Sequence, residues 1–169
     1  ENNVLKSDKP IGPEDSVREA LKHGSLVLGY IGMAETLVSL FGKHHGEDDI
    51  SYSYAKEILG VIKNYADEAS ERNDLNFSLY ATPAESLCLK ARDRAAREFG
   101  VIEGVTSREY FTNSHHIPVY FPITSSEKMK LEAPLSKMAT AGNIVYNELT
   151  GDATDNVQAV KSLVREAMG

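Results

Sequence analysis

Phe77-Ser-Leu-Tyr-Ala-Thr-Pro-Ala-Glu-Ser86 constrains this chain more than any other stretch. Its first half reads as a short apolar strand, and its second half starts a helix. Thr82 has the chemistry of a helix N-cap, Pro83 suits the first helical position, and Glu85 stands where a capping box needs its carboxylate. A helix that begins directly after a strand presents free backbone N–H groups and the positive end of its dipole. That combination seats a phosphate or carboxylate, and it makes Thr82, Pro83, Ala84, Glu85 and Ser86 candidate binding residues. A plain capping box accounts for the same residues without a ligand, and Glu85 would compete with an anion for the same donors. These ten residues alone leave both readings open.

The chain has 169 residues, the length of one domain, with 41% hydrophobic and 25% charged residues, enough to bury a core. A net charge of −7 argues against a nucleic-acid or membrane-surface binder, which needs a basic face. The single cysteine, Cys88, permits neither an internal disulfide nor an all-cysteine zinc site and fits a reducing, cytoplasmic compartment. No apolar run approaches a membrane span.

Residues 1–13 read as a flexible lead-in and 14–169 as one α/β segment. Helices are expected over 14–23, 33–42, 51–72, 84–99, 125–131 (capped by Ser125) and 152–168. Strands are expected over 25–31, 77–80 and 142–149. Strands alternating with helices indicate mainly parallel pairing.

Lys43-His44-His45-Gly46 places titratable groups at a helix C-terminus. A favourable dipole contact and a functional contact both explain it. Thr112-Asn113-Ser114-His115-His116-Ile117-Pro118 is denser in polar side chains than an apolar-flanked segment needs. His44, His45, Asn113, Ser114, His115 and His116 are therefore candidate cleft-lining residues. The bland counterpart has Asn113 and Ser114 capping a turn while His115 packs. No His-x-x-x-His spacing supports a metal, and none is expected. Cys88, one turn into its helix, is either a low-pKa thiol or a small buried hydrophobe. No catalytic triad stands out.

Four blocks in order resemble one family. They are Gly29-Tyr-Ile-Gly-Met-Ala-Glu-Thr-Leu37 running to Gly42-Lys-His-His-Gly-Glu47; Asp67-Glu-Ala-Ser70 with Asn76 to Glu85; Phe99 to Thr106 with Tyr110 to Val119; and Glu127 to Pro134 with Ala141-Gly142. Together, over about residues 15–150, they resemble the anaerobic, glycyl-radical ribonucleoside-triphosphate reductases. The resemblance implies a slice of a ten-stranded α/β barrel of the glycyl-radical enzyme and ribonucleotide reductase type. It implies the substrate-phosphate side of an enzyme that converts ribonucleotides to deoxyribonucleotides by radical chemistry, with the phosphate at Thr82–Ser86.

The same resemblance implies no catalytic residue and no cofactor within this segment. The radical-forming cysteine is expected upstream of Glu1, and the glycyl radical and four zinc cysteines downstream of Gly169. For the full-length family it implies a glycyl radical installed by an S-adenosylmethionine/iron–sulfur activase, zinc, and allosteric nucleotides. The implied partners are a ribonucleoside triphosphate, the activating enzyme and a second copy in a homodimer, with no nucleic acid and no membrane. The sequence departs from the family at Cys88, where relatives carry a small residue such as Ser, over 87–97, and at Asn143, which replaces a common His. A stand-alone nucleotide- or anion-binding module and a piece of another glycyl-radical enzyme are the alternatives.

Overall fold

The computed structural model describes residues 12–147 and 153–168. Its elements run α1 (Arg18–Leu21), β1 (Ser25–Tyr30), α2 (Met33–Phe41), α3 (Asp49–Asn73), β2 (Asn76–Ala81), α4 (Glu85–Phe99), α5 (Ser125–Ser136), a short 3-10 turn (Ala153–Asn156) and α6 (Val157–Met168). The strands are parallel, in register from Ser25 opposite Asn76 to Tyr30 opposite Ala81. A parallel pair needs a long crossover, and α2 and α3 supply it. The α/β expectation holds, with the two strands paired in parallel.

The core lies where α2, α3 and α5 meet the sheet. Met33 and Leu37 from α2, Ala55 and Leu59 from α3, Leu79 from β2 and Leu135 from α5 form one buried cluster, flanked by Leu28, Tyr30, Tyr52 and Ile62. On the opposite side of the sheet Val27 is 51% exposed. Parallel strands are normally covered on both faces, so this uncovered apolar surface fits a piece of a larger barrel.

Several boundaries differ from the sequence expectation for identifiable reasons. Helix α3 starts at Asp49 because Asp48 caps it, its carboxylate accepting from the Ser51 N–H at 2.8 Å. Helix α5 is capped by Thr124, not Ser125, through a reciprocal capping box with Glu127. It also runs past Pro134 to Ser136, because burying Leu135 outweighs the hydrogen bond that proline removes. Helix α1 is a single turn. The strand expected over 142–149 does not form within 142–147, and residues 148 and 149 lie outside the described residues, as do residues 1–11 of the lead-in and Asp152. Instead, Ala141 N–H donates to Leu79 O at 2.9 Å and Ala81 N–H to Gly142 O at 3.2 Å, closing the free edge of β2 with two bonds.

Both strands end on the same side, and the chain leaves them there for α2 and α4. Thr112–Ser114 crosses these ends: Gly32 N–H donates to Thr112 O at 2.8 Å and Met33 N–H to Ser114 O at 3.2 Å, and Ile31 bridges Asn113. In open α/β sheets the carboxyl ends of the strands are where ligands bind.

Gly29 permits the close approach of the two strand ends, because a Cβ there would collide with the Thr82 hydroxyl. Gly60, in mid-α3, has no neighbour within 4 Å of its Cβ position. Gly29→Ala should therefore destabilise the chain by about 1–3 kcal/mol through overpacking. Gly60→Ala should stabilise it by about 0.5–1 kcal/mol through helix propensity. Urea titration of the two variants checks this, and equal effects would contradict the packing described.

Candidate functional site

The Thr112–Ile117 segment is built from polar groups yet buried, so its side chains must find partners inside. Two acidic side chains supply four of its hydrogen bonds, at the two ends of the segment. Glu35, 4% exposed on α2, accepts through Oε1 from the Thr112 N–H at 3.0 Å and the Thr112 hydroxyl at 2.7 Å. Glu132, 1% exposed on α5, accepts through Oε1 from the Ile117 N–H at 2.8 Å and lies 3.1 Å from His116 Nδ1 through Oε2. Between them the backbone turns tightly, with Ser114 at φ 42° and the His116 N–H donating to Asn113 O at 3.0 Å.

That turn aims Asn113 at the start of α4. Its Oδ1 accepts from the Ala84 N–H at 2.9 Å and from the Cys88 thiol at 3.0 Å. The capping box expected from Thr82 and Glu85 is therefore absent. Ala84 occupies the N-cap position with no side-chain cap bond of its own, Pro83 precedes the helix, and the Thr82 hydroxyl donates back to Tyr80 O at 3.3 Å. The cap comes from a residue 29 positions away. The first helical amide to find a backbone acceptor is Cys88, on Ala84 O at 2.9 Å, which leaves the N–H groups of Glu85, Ser86 and Leu87 at the open end of the helix.

A cavity of about 690 Å³ opens beside this helix start. Glu85, Cys88, Asn113 and His116 line it, as do Glu35 and the cations Arg108 and Lys128; Thr82, Pro83, Ala84 and Ser86 do not. Arg108 lies over the Tyr120 ring at 3.9 Å, and Lys128 donates to Tyr146 O at 2.7 Å. Burial pushes the Glu35 carboxyl up, partly offset by the Thr112 donors. Its Oε2 is buried without a partner. Burial, with Glu35 nearby, also pushes the Cys88 thiol up, so Cys88 is the small buried group and not a thiolate nucleophile.

His44 and His45 are not helix-end residues. They follow α2 and are 2% and 1% exposed. The Gly46 N–H donates to His44 Nδ1 at 3.0 Å, and a Cβ at Gly46 would press on that ring and on Ile117. His45 Nε2 donates to His115 O at 2.7 Å, leaving Nδ1 a buried acceptor with no donor among the described residues. His115 lies between the Tyr30 hydroxyl and Ser136 Oγ, the latter at 3.0 Å. Of the four candidate histidines only His116 lines the cavity. Among the described residues no three His, Cys, Asp or Glu side chains converge as a metal site.

The sequence reading missed Glu35, Arg108, Lys128 and Glu132. A signal for two of them existed. Lys128 and Glu132 fall in helical phase with Met129 and Leu135, so their charges sit on the buried stripe of α5.

Burial holds the His45 and His115 imidazoles down at about 4, against a reference near 6.5. A depressed folded-state value means that the unfolded chain binds more protons between the two values. The stability these residues contribute is then complete above about pH 6.5 and is lost as pH falls toward 4, with a slope for each of up to about 1.4 kcal/mol per pH unit. Glu35, raised by burial, acts in the opposite sense. Urea titrations across this range should show an acid-side loss of stability that His45→Gln reduces. An acid limb unchanged by that substitution would contradict the account.

The family model described as anaerobic ribonucleoside-triphosphate reductase matches residues 1–169. The chain is 39% identical over 142 residues to the anaerobic ribonucleoside-triphosphate reductase of Escherichia coli (strain K12), covering 82% of this chain and 20% of that protein. It is 35% identical over 153 residues to that of Enterobacteria phage T4, covering 89% of this chain and 24% of that protein. It thus spans a quarter or less of these relatives. The Thermotoga maritima anaerobic ribonucleotide reductase with dATP in its specificity site shares the fold at a TM-score of 0.68 and 17% identity, over 88% of this chain and 25% of that one. The same reductase in complex with dATP and CTP gives 0.64 at 17% identity, over 83% and 24%. This chain belongs to the anaerobic ribonucleoside-triphosphate reductase family.

Proposed function

We propose that this chain forms the nucleotide-phosphate side of the barrel of an anaerobic ribonucleoside-triphosphate reductase. The observation that carries the reading is the open start of α4. Its Glu85–Leu87 amides have no backbone acceptor among the described residues, and Glu85 lines a cavity of about 690 Å³ together with Arg108, Lys128, Glu35 and Glu109. Amides at a helix start favour phosphate through both their hydrogens and the helix dipole. Asn113 satisfies the Ala84 N–H, so the helix needs no capping hydroxyl of its own. A neutral amide cap also adds no negative charge to compete with a phosphate, as a carboxylate cap would.

In the parent enzyme the ribose C2′–OH becomes C2′–H, the oxygen leaves as water, and formate or a thiol pair supplies the two electrons. This segment binds and orients the nucleotide for that exchange. The glycyl radical, its S-adenosylmethionine-dependent activase, the zinc and a homodimer belong to the same proposal for the parent, as does a cytoplasmic setting. Among the described residues no helix is long and apolar enough to cross a membrane.

Asn113→Ala in the parent should weaken CTP binding by about 1 kcal/mol, roughly fivefold, because it removes the cap that fixes the α4 start. Equilibrium binding of CTP to parent and variant measures this. Full affinity in a folded variant would contradict the role given to Asn113, and a parent that binds no CTP would overturn the functional reading.

A further inference from the structure

His116 and Glu132 form a second built feature of the same cavity. Glu132 is 1% exposed, and both of its oxygens are engaged, Oε1 by the Ile117 N–H at 2.8 Å and Oε2 by His116 Nδ1 at 3.1 Å. A carboxylate accepts and cannot donate, so the ring hydrogen sits on Nδ1. In the neutral ring this leaves a lone pair on Nε2. His116 lines the cavity, its Nε2 has no partner among the described residues, and that atom is not among the buried ones. The ring cannot swing away, because Tyr146 packs edge-on against it at 5.3 Å and His115 lies beside it at 5.6 Å.

The turn that carries His116 also carries Asn113, the cap of α4. One end of the turn is thus fixed to the phosphate seat and the other to Glu132. A nucleotide whose phosphates sit at the α4 start extends its sugar into a cavity with this imidazole in its wall. Phosphate oxygens have no hydrogen to offer a bare ring nitrogen, whereas ribose hydroxyls do.

Resting on the function proposed above, we propose that His116 Nε2 accepts a hydrogen bond from a ribose hydroxyl of the bound nucleotide, and that Glu132 is the positioning residue that fixes the tautomer. His116 is then a sugar-recognition contact distinct from the phosphate seat at α4.

The test separates the two ends of the imidazole. A glutamine amide reaches the position of Nε2, and an asparagine amide reaches only that of Nδ1. Affinities for CTP and for 2′,3′-dideoxy-CTP are measured on the parent reductase holding dATP, for wild type, His116→Asn and His116→Gln. The proposal expects His116→Asn to lose roughly tenfold in CTP affinity and little for the dideoxy nucleotide, with His116→Gln restoring most of the loss. Glu132→Gln, which lets the ring hydrogen move to Nε2, should likewise lower CTP affinity more than dideoxy-CTP affinity.

Equal losses for both nucleotides, or better tolerance of His116→Asn than of His116→Gln, would make His116 a structural partner of Glu132 only and overturn the proposal. If His116→Asn fails to fold, the Glu132→Gln comparison decides in the same way. Binding of CTP with no difference between variants leaves the phosphate-seat reading intact while overturning this one. Absence of CTP binding by the wild-type parent overturns both.

Discussion

Two buried carboxyl groups hold the Thr112–Ile117 segment across the strand ends, and the site depends on that clamp. Glu35 grips the segment at Thr112 and Glu132 grips it at Ile117 and His116. Either group would be costly to bury alone, and each is tolerated because backbone and side-chain donors converge on it. With both ends fixed, the turn between them places Asn113 on α4 and His116 in the cavity wall.

The clamp explains how an irregular stretch can be as buried as the core. Ser114, His115 and Ile117 are 0%, 0% and 1% exposed. His115 is tied to Tyr30 on β1 and to Ser136 on α5, and its carbonyl to His45. These bonds join elements that the Leu37–Leu59–Leu79–Leu135 core also joins, so hydrophobic packing and the polar network specify the same arrangement. Because burial disfavours a charge on His45 and His115, acid should weaken this network while leaving the aliphatic core untouched.

Much of the fold was legible in the sequence. The long 3.6-residue periodicity of α3, the short apolar run of β2 and the turn residues between them needed no tertiary information. Motif order pointed to the family that the comparisons then showed. The cap of α4 was misread because Thr-Pro-Ala-Glu satisfies the local capping rules, whereas the group that caps the helix lies 29 residues further on. Glu35 was invisible for a related reason: its partners are the amide and hydroxyl of Thr112 in a distant loop. The helical phase of Glu132 marked it as buried, but not the loop amide and imidazole that it meets. The strand expected near Ile144 rested on β-branched content alone, and only Ala141 and Gly142 make the edge contact.

The central claim is that the unpaired amides at the start of α4 receive the nucleotide. Hydrogen–deuterium exchange of the parent reductase, with and without saturating CTP, tests it at the residues concerned. Exchange at Glu85, Ser86 and Leu87 should slow when CTP binds, together with exchange across Asn113–His116, since the two are joined by the cap. Bound CTP that protects other segments and leaves these amides exchanging at their free rate would contradict the account.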